Sequence, residues 1–234
     1  MKVPTAEYYS CNGADEFCLV AGPDLPRKIL LVPPLFEEAN RLRRSLLLLM
    51  RALLAADIGS VLPDLPGRGE SLFPQSDATL ALWRNAVGSC AETFGISHIA
   101  AFRGGALIDS SEAKRHHWRA APVSGANLLR TMMRTRLAAE KESGSTITLA
   151  ELEAQAAQHV IELAGNHLSP DMVAQLRGAV PAPLPNCRTV RLTGDLGDAD
   201  ARIAGTPLWL RAEPGEDSEL VSACAKDLVG WIGA

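Results

Sequence analysis

HIAAFRGGAL, at residues 98–107, is the stretch that decides the fold of this chain. The apolar run from Ile99 to Phe102 predicts a buried strand, and Gly104-Gly105 predicts a sharp turn directly after it. The residues beyond the turn predict a helix. A strand, a sharp turn and a helix in this order hold the residue at the turn, here Arg103, in a strained and accessible position.

This layout resembles the nucleophile elbow of the α/β hydrolases, whose pattern is G-x-S-x-G. The corresponding residues here are Ala101-Phe102-Arg103-Gly104-Gly105, so Arg103 replaces the serine and Ala101 replaces the first glycine. A guanidinium remains protonated and cannot attack a carbonyl carbon. The pattern therefore predicts the fold of a hydrolase without its nucleophile.

The elements around the elbow alternate between strands and helices. Further strands are predicted at Glu7–Cys11, Glu16–Ala21, Lys28–Val32, Gly59–Leu62, Thr189–Thr193 and Pro207–Arg211. Three helices are predicted around these strands. One begins at the N-cap Asn40 and ends before Gly59, a second ends at about Glu92, and a third runs from Asp217 or Ser218 to about Trp231. A β-hairpin followed by βαβ units favours a mostly parallel central sheet flanked by helices, as in the α/β-hydrolase fold.

Residues 122–185 depart from this alternation because their strand signals stop. Three helices are predicted: Ser124 to Glu142, the capping box Thr148–Glu151 to Gly165-Asn166, and a third from Ser169-Pro170-Asp171. A proline-rich link then leads back to the sheet. We therefore predict a single domain, residues 1–234, with a helical cap or lid at 122–185.

Composition excludes several classes of function. Apolar residues make up 47% of the 234 residues, and the net charge of −4 does not favour nucleic-acid binding. The leucine-rich run 46–56 is too short to span a bilayer and contains Arg51, so no membrane insertion is expected. The five cysteines lack metal-site spacing and no signal peptide is recognised, so we expect a cytoplasmic protein with free thiols, no metal and no cofactor. The oligomeric state is left open.

Several longer motifs resemble one family. They are PPLFEEANRLRR at 33–44, PDLPGRGES at 63–71, FRGGAL at 102–107, WRAAPVSG at 118–125 and LSP at 168–170. Together they resemble the exosortase A system-associated hydrolases, in particular the hydrolase 2 type, whose members also carry arginine at the elbow. The resemblance extends from about Ile29 to Glu213. It implies an α/β-hydrolase fold and a genomic setting in exopolysaccharide production and the sorting of surface-anchored proteins.

The catalytic triad of this fold follows the order Ser, Asp or Glu, then His. Asp195 stands where the acid is expected, after the strand Thr189–Thr193. The histidine is expected after Pro207–Arg211, where Glu213 stands instead, and no histidine follows His167. Nucleophile and base are both missing from a degenerate triad, so we expect at most the residual acceleration of ~10³–10⁴ that the oxyanion hole and binding supply.

Four other residues have side chains that can act as nucleophiles. Ser110 and Ser111 lie about two turns into the predicted helix, too far from the elbow. Ser71 is predicted to hydrogen-bond its own glycine-rich loop, and Cys90 to be a small buried residue on a helix face. The catalytic residues, if there are any, are therefore unknown.

Arg103 allows two interpretations. It can form a buried salt-bridge cluster that closes a vestigial site, or it can bind a phosphate or carboxylate beneath the cap, with help from backbone amides. The residues predicted to build this site are Phe36, Glu37, Glu38, Arg103, Gly104, Asp195 and Glu213. The run Arg41–Arg44 is predicted to be a solvated helix end, and Trp118 and Trp209 to be core aromatics.

Three functions follow from these alternatives. The chain is a hydrolase of the exosortase-linked system that acts on an ester or thioester through an unrecognised nucleophile, or a degenerate hydrolase that binds an anionic small molecule, or a scaffold without a ligand. A cavity with unpaired positive charge at Arg103 favours the second function. An Arg103 fully paired with a carboxylate favours the third.

Overall fold

Eight strands form one sheet in the computed structural model of this chain, which describes residues 4–111, 115–211 and 213–233. The spatial order is β1-β2-β4-β3-β5-β6-β9-β10, antiparallel at β1–β2 and β2–β4 and parallel elsewhere. The strands are β1 Thr5–Cys11, β2 Ala14–Ala21, β3 Lys28–Val32, β4 Gly59–Pro63, β5 His98–Phe102, β6 His116–Ala120, β9 Cys187–Leu192 and β10 Ala201–Ile203. The predicted mostly parallel sheet is confirmed.

Helices cover both faces of the sheet. They are α1 Glu37–Ala55, α2 Leu80–Thr93, α3 Gly125–Glu142, α4 Leu149–Ala156, α5 Pro170–Gly178 and α6 Ser218–Ile232. α1 and α6 share one core with one face of the sheet, whereas α2 and the segment α3–α5 share the core on the other face. α1 begins at Glu37, earlier than predicted, because Phe36 rather than Asn40 is its N-cap.

The segment between β6 and β9 was predicted to be all helical, and this is wrong. The second predicted helix ends at Ala156, and a two-stranded hairpin follows, β7 Ile161–Leu163 and β8 Asn166–Leu168. Gly165 lies in its turn with a φ of 76°, a value that glycine adopts readily, so the turn signal closes a hairpin rather than a helix. Whether this segment moves as a lid stays a prediction.

The last strand also differs from the prediction. PLWLR at 207–211 forms a short 3₁₀ turn, Leu208–Leu210, and the preceding β10 completes the sheet. Leu208 and Trp209 are both buried although they are adjacent, which an alternating strand does not allow. The loop after the last strand therefore starts at residue 204. Within the described ranges, no helix has the length and hydropathy needed to cross a membrane.

Asp227 fixes α6 to the sheet from one side. Its Oδ1 accepts hydrogen bonds from Trp118 Nε1 at 2.7 Å and from Arg188 Nε at 3.0 Å, and Arg188 Nη2 lies 2.8 Å from Oδ2. These bonds favour the charged carboxylate, so Arg188 and then Trp118 lower the pKa of Asp227, against the opposing effect of burial.

We expect Asp227→Asn to cost about 1–3 kcal/mol of unfolding free energy near neutral pH, as for hydrogen bonds to charged groups. Because the folded-state pKa lies below the ordinary value of about 4, this contribution is present above pH ~4 and is lost as the pH falls through the folded-state pKa. Urea unfolding of both proteins at pH ~7 and at pH ~3 checks this. A difference that is the same at both pH values contradicts the assignment.

Candidate active site

The turn after β5 has the strained geometry of an elbow. Arg103 directly follows Phe102 and has a φ of 54°, a backbone conformation that residues with side chains rarely adopt. The chain then passes so close to the loop after β3 that a Cβ at Gly105 would lie 2.6 Å from the carbonyl oxygen of Pro33. Arg103 thus occupies the position from which a hydrolase of this fold presents its nucleophile.

The helix predicted after this turn is absent. Two short 3₁₀ turns, Arg103–Leu107 and Asp109–Ser111, take its place before β6 starts at His116. Because β5 and β6 are parallel neighbours, the connection must run from the end of β5 back to the start of β6. A 3₁₀ turn covers more of this distance per residue than an α-helix does. The helix terminus that was predicted to favour an anion beside Arg103 therefore does not form.

Arg103 is engaged on all sides. Its Nε and Nη2 donate to the two carboxylate oxygens of Glu38 at 3.1 and 3.0 Å, and its Nη1 donates to the carbonyl of Ala121 at 3.0 Å. The guanidinium carbon lies 4.5 Å from the centre of the Trp209 ring. Only 14% of the Arg103 side chain and 6% of the Glu38 side chain are exposed. The charge of Arg103 is therefore neutralised within the fold.

Trp209 reaches Arg103 from the loop that would carry the histidine. In this fold that loop follows the last strand, which is β10. Its backbone is fixed from α1, because Arg41 Nη1 donates to the Trp209 carbonyl at 2.7 Å. Sequence reasoning placed Glu213 at this point because it took residues 207–211 for the strand. A cation–π pair, Arg103 with Trp209, stands where serine and histidine would meet.

Little space remains beside this pair. The cavity that Arg103 and Trp209 help to line has a volume of about 30 Å³, room for roughly one water molecule. Its other walls are mostly aliphatic side chains of α1, α6 and the sheet. A phosphate or carboxylate ligand does not fit there without displacing Glu38 or Trp209.

The start of α1 brings two acidic residues and two cations together. Glu37 is half-buried, and burial raises its pKa, with a further rise from Glu38; Arg41 and Arg68 oppose this rise. Phe36 has a φ of 58°, and its carbonyl accepts a hydrogen bond from Arg68 Nη2 at 3.0 Å. Glu38 rather than Glu37 pairs with Arg103, because adjacent residues on a helix point about 100° apart.

The remaining predicted site residues lie apart from the guanidinium. Asp195 sits in the turn after β9, with its carboxylate 3.5 Å from Arg191 Nη1, and none of its contacts reaches Arg103. Glu213 is exposed. Gly104 packs against α3, because a Cβ there would lie 2.6 Å from Leu128 Cδ1. Of the four carboxylates predicted to be available to Arg103, only that of Glu38 pairs with it in the described structure.

The prediction of a solvated helix end for the arginines of α1 is confirmed for the exposed Arg44, whereas Arg41 and Arg43 are half-buried and contact neighbouring loops. Besides Arg41, Arg43 Nη1 lies 2.8 Å from Oδ1 of the buried Asp64, and Arg44 pairs with Glu216. Arg41 and Arg44 thus contact the loop between β10 and α6, and Arg43 contacts the loop after β4. α1 holds the loops after β4 and β10 in place around the elbow.

Of the alternative nucleophiles considered from the sequence, the three whose side chains the structure describes, Ser71, Cys90 and Ser110, do not line the cavity at Arg103. The Ser71 hydroxyl accepts two backbone hydrogen bonds from its own loop, at 2.9 and 3.2 Å, as predicted. Cys90 is fully buried, and burial, with the neighbouring Cys18, raises its pKa. Ser110 lies in the second 3₁₀ turn rather than on a long helix, and the side chain of Ser111 lies outside the described structure.

The histidines lie elsewhere. His98, His116 and His117 are in the first halves of β5 and β6, away from the carboxyl edge that carries Arg103. His159 and His167 are exposed residues of the segment between β6 and β9. General-base catalysis by histidine at the elbow therefore has no candidate among the described residues.

Two contacts near the site were missed from the sequence. Arg68, in the loop after β4, donates to the Asn166 side chain of the β7–β8 hairpin. Trp209 was predicted only as a core aromatic, and it is buried as predicted, but its ring also covers Arg103. Neither contact has a local sequence signal, because each joins segments that are distant in the chain.

Comparisons with known proteins agree with this architecture. No family model and no curated protein matches the chain. Est1E of Butyrivibrio proteoclasticus, solved with bound ferulic acid, has a TM-score of 0.62 at 14% identity over 98% of this chain and 100% of its own. A predicted CIB-like hydrolase from Thermoplasma acidophilum has a TM-score of 0.52 at 13% identity over the same shares. The chain has the α/β-hydrolase fold.

Proposed function

We propose that this α/β-hydrolase fold serves the exosortase-linked exopolysaccharide system as a non-hydrolytic binding or scaffold protein. The observation that carries the proposal is the pairing of Arg103 with Glu38 and Trp209 at the position of the nucleophile. The link to that system rests on the motif resemblance, which includes arginine at the elbow.

Acyl hydrolysis needs three things that this site does not offer. A nucleophile must be deprotonated, a base must accept its proton, and a space near both must admit the carbonyl. Arg103 is a cation, Trp209 cannot act as a base, and about 30 Å³ of space remains beside them. The site is closed by packed, paired side chains.

We expect the purified protein to show no turnover above buffer with short- and long-chain acyl esters and acyl thioesters. A serine hydrolase of the same fold is the positive control. The matched variant is Arg103→Met with Glu38→Leu, which removes the ion pair and keeps the volume of both side chains. Turnover in the wild type that disappears in this variant would make Arg103 part of an atypical active site and overturn the proposal.

Adding back the serine alone is also expected to fail. Arg103→Ser supplies a hydroxyl but no base, since Trp209 occupies the histidine loop. Without a base such a serine is a poor nucleophile, so labelling by a fluorophosphonate probe is expected to stay at background. Rapid stoichiometric labelling would show that another side chain acts as a base for the serine hydroxyl at position 103.

A deletion strain tests the role in the cell. Loss of exopolysaccharide on deletion, restored by both the wild type and the Arg103→Met/Glu38→Leu variant, supports a non-hydrolytic role. An unchanged amount of polysaccharide on deletion contradicts the proposed link to its production.

A further inference from the structure

A cavity of about 210 Å³ lies beside the closed site, between the β3–α1 connection and the loop after β4. We call it the Arg68 cavity. It is far larger than the space at Arg103 and has both polar and apolar walls. The residues that line this cavity include Leu46, Leu62, Asp64, Arg68, Glu70 and Trp83.

Arg68 brings a positive charge to this cavity without a carboxylate in contact. Two of its five N–H groups donate to neutral acceptors, the Phe36 carbonyl at 3.0 Å and the Asn166 side chain. Among the described ion pairs none includes Arg68. Burial lowers the pKa of Arg68, although Glu37 and Asp64 act in the opposite direction from a distance. A partly buried guanidinium with unused donors is suited to an anion.

Two carboxylates, those of Asp64 and Glu70, line the cavity with Arg68, and that of Asp64 is already occupied. Asp64 is buried; its Oδ1 accepts from Arg43 Nη1 at 2.8 Å and its Oδ2 from the Glu70 backbone N–H at 3.0 Å. A Cβ at Gly69 would lie 2.0 Å from Asp64 Oδ2, so the loop wraps this carboxylate tightly. Asp64 therefore cannot turn toward Arg68 without unfolding its own loop.

Part of the cavity lining is apolar. Leu46 and Leu62 are buried, and Trp83 is buried with its indole N–H satisfied by the Pro66 carbonyl at 2.9 Å. These side chains leave no hydrogen-bonding group for a polar tail, but they offer contact to a few methylene groups.

We propose that the Arg68 cavity binds a short-chain organic carboxylate, with the carboxylate on Arg68 and the hydrocarbon part against Leu46 and Leu62. Arg43, the other cation that lines the cavity, is paired with Asp64, so Arg68 is the cation that remains to bind one negative charge. The carboxylates of Asp64 and Glu70, which also line the cavity, disfavour a doubly charged phosphate. This inference goes beyond the proposed function and does not depend on whether the elbow is catalytic.

Isothermal titration of the full chain with butyrate, butyramide and inorganic phosphate tests the proposal. We expect butyrate to bind in about the millimolar range, in keeping with its small size, and butyramide and phosphate at least about tenfold more weakly. Equal binding of butyrate and butyramide would overturn the role of the charge. Phosphate binding as tight as that of butyrate would overturn the assignment to a carboxylate.

Three variants locate the site. Arg68→Gln removes the charge, and Leu62→Phe fills the apolar end while leaving Arg68 unchanged, so a fold defect in one does not hide the result of the other. Both are expected to weaken butyrate binding by about tenfold or more. Arg44→Gln, which removes a surface charge outside the cavity, is expected to bind as the wild type does. Unchanged binding in both Arg68→Gln and Leu62→Phe would place the ligand elsewhere.

Discussion

Arg103→Ala is expected to lower the free energy of unfolding by about 3–5 kcal/mol, the usual cost of removing one partner of a buried ion pair. The variant leaves the carboxylate of Glu38, which is 6% exposed, without its bidentate donor. It also leaves the Ala121 carbonyl and one face of Trp209 without a partner. For a chain of this size the midpoint of thermal unfolding should fall by about 10 °C.

Replacing both partners separates charge from packing. The Arg103→Met/Glu38→Leu variant removes both charges at once, and buried pairs replaced in this way are often neutral or stabilised. We expect it to be clearly more stable than Arg103→Ala. If Arg103→Ala unfolds within about 1 kcal/mol of the wild type, the ion pair does not hold the elbow closed, and the main argument against an open site is lost.

Arg119→Ala is expected to be equally destabilising, by about 3–5 kcal/mol. Arg119 Nε and Nη2 each lie 2.7 Å from an oxygen of Asp109, whose side chain is fully buried, and Nη1 donates to the Ala182 carbonyl at 2.7 Å. Burial lowers the pKa of Arg119, but Asp109 more than offsets this, so the pKa of Arg119 is raised and its guanidinium remains charged.

The exposed ion pair between Arg44 and Glu216 provides the matched control for Arg119→Ala. Arg44 pairs with Glu216, but their side chains are 69% and 43% exposed, so Arg44→Ala should cost at most about 1 kcal/mol. Denaturant unfolding of both alanine variants gives the comparison. Equal effects of Arg119→Ala and Arg44→Ala would show that burial does not strengthen the Asp109–Arg119 pair.

The Asp109–Arg119 pair stabilises the connection that follows the elbow. The connection after the elbow forms 3₁₀ turns rather than an α-helix, and the side chain of Asp109 is held there by a charge–charge contact from Arg119 of β6. Arg119 also joins this connection to the segment that returns toward β9, through the carbonyl of Ala182. The elbow is therefore supported from both sides by buried arginines, Arg103 and Arg119.

Local patterns in the sequence predict six of the eight sheet strands and most helix starts, whereas β6 has no predicted counterpart and β10 lies before the strand predicted at 207–211. Lys28–Val32 is predicted with its observed bounds from its continuous apolar run. Thr148, Ser169 and Asp217 each cap a helix as predicted, because a side-chain oxygen reaches a backbone N–H only three residues on. The arginine at the elbow and the lack of a histidine after His167 are likewise visible in the sequence.

The side chains that stand at the positions of the serine and the histidine follow from tertiary packing. Four carboxylates were equally available to Arg103 in the sequence, and the phase of α1 selects Glu38 over Glu37. Because β10 ends at Ile203, the loop that follows it begins earlier in the chain than predicted. Trp209 of this loop, and not Glu213, therefore contacts the Arg103 guanidinium. Such contacts join residues far apart in the chain, so their choice depends on how the loops pack, which local patterns do not encode.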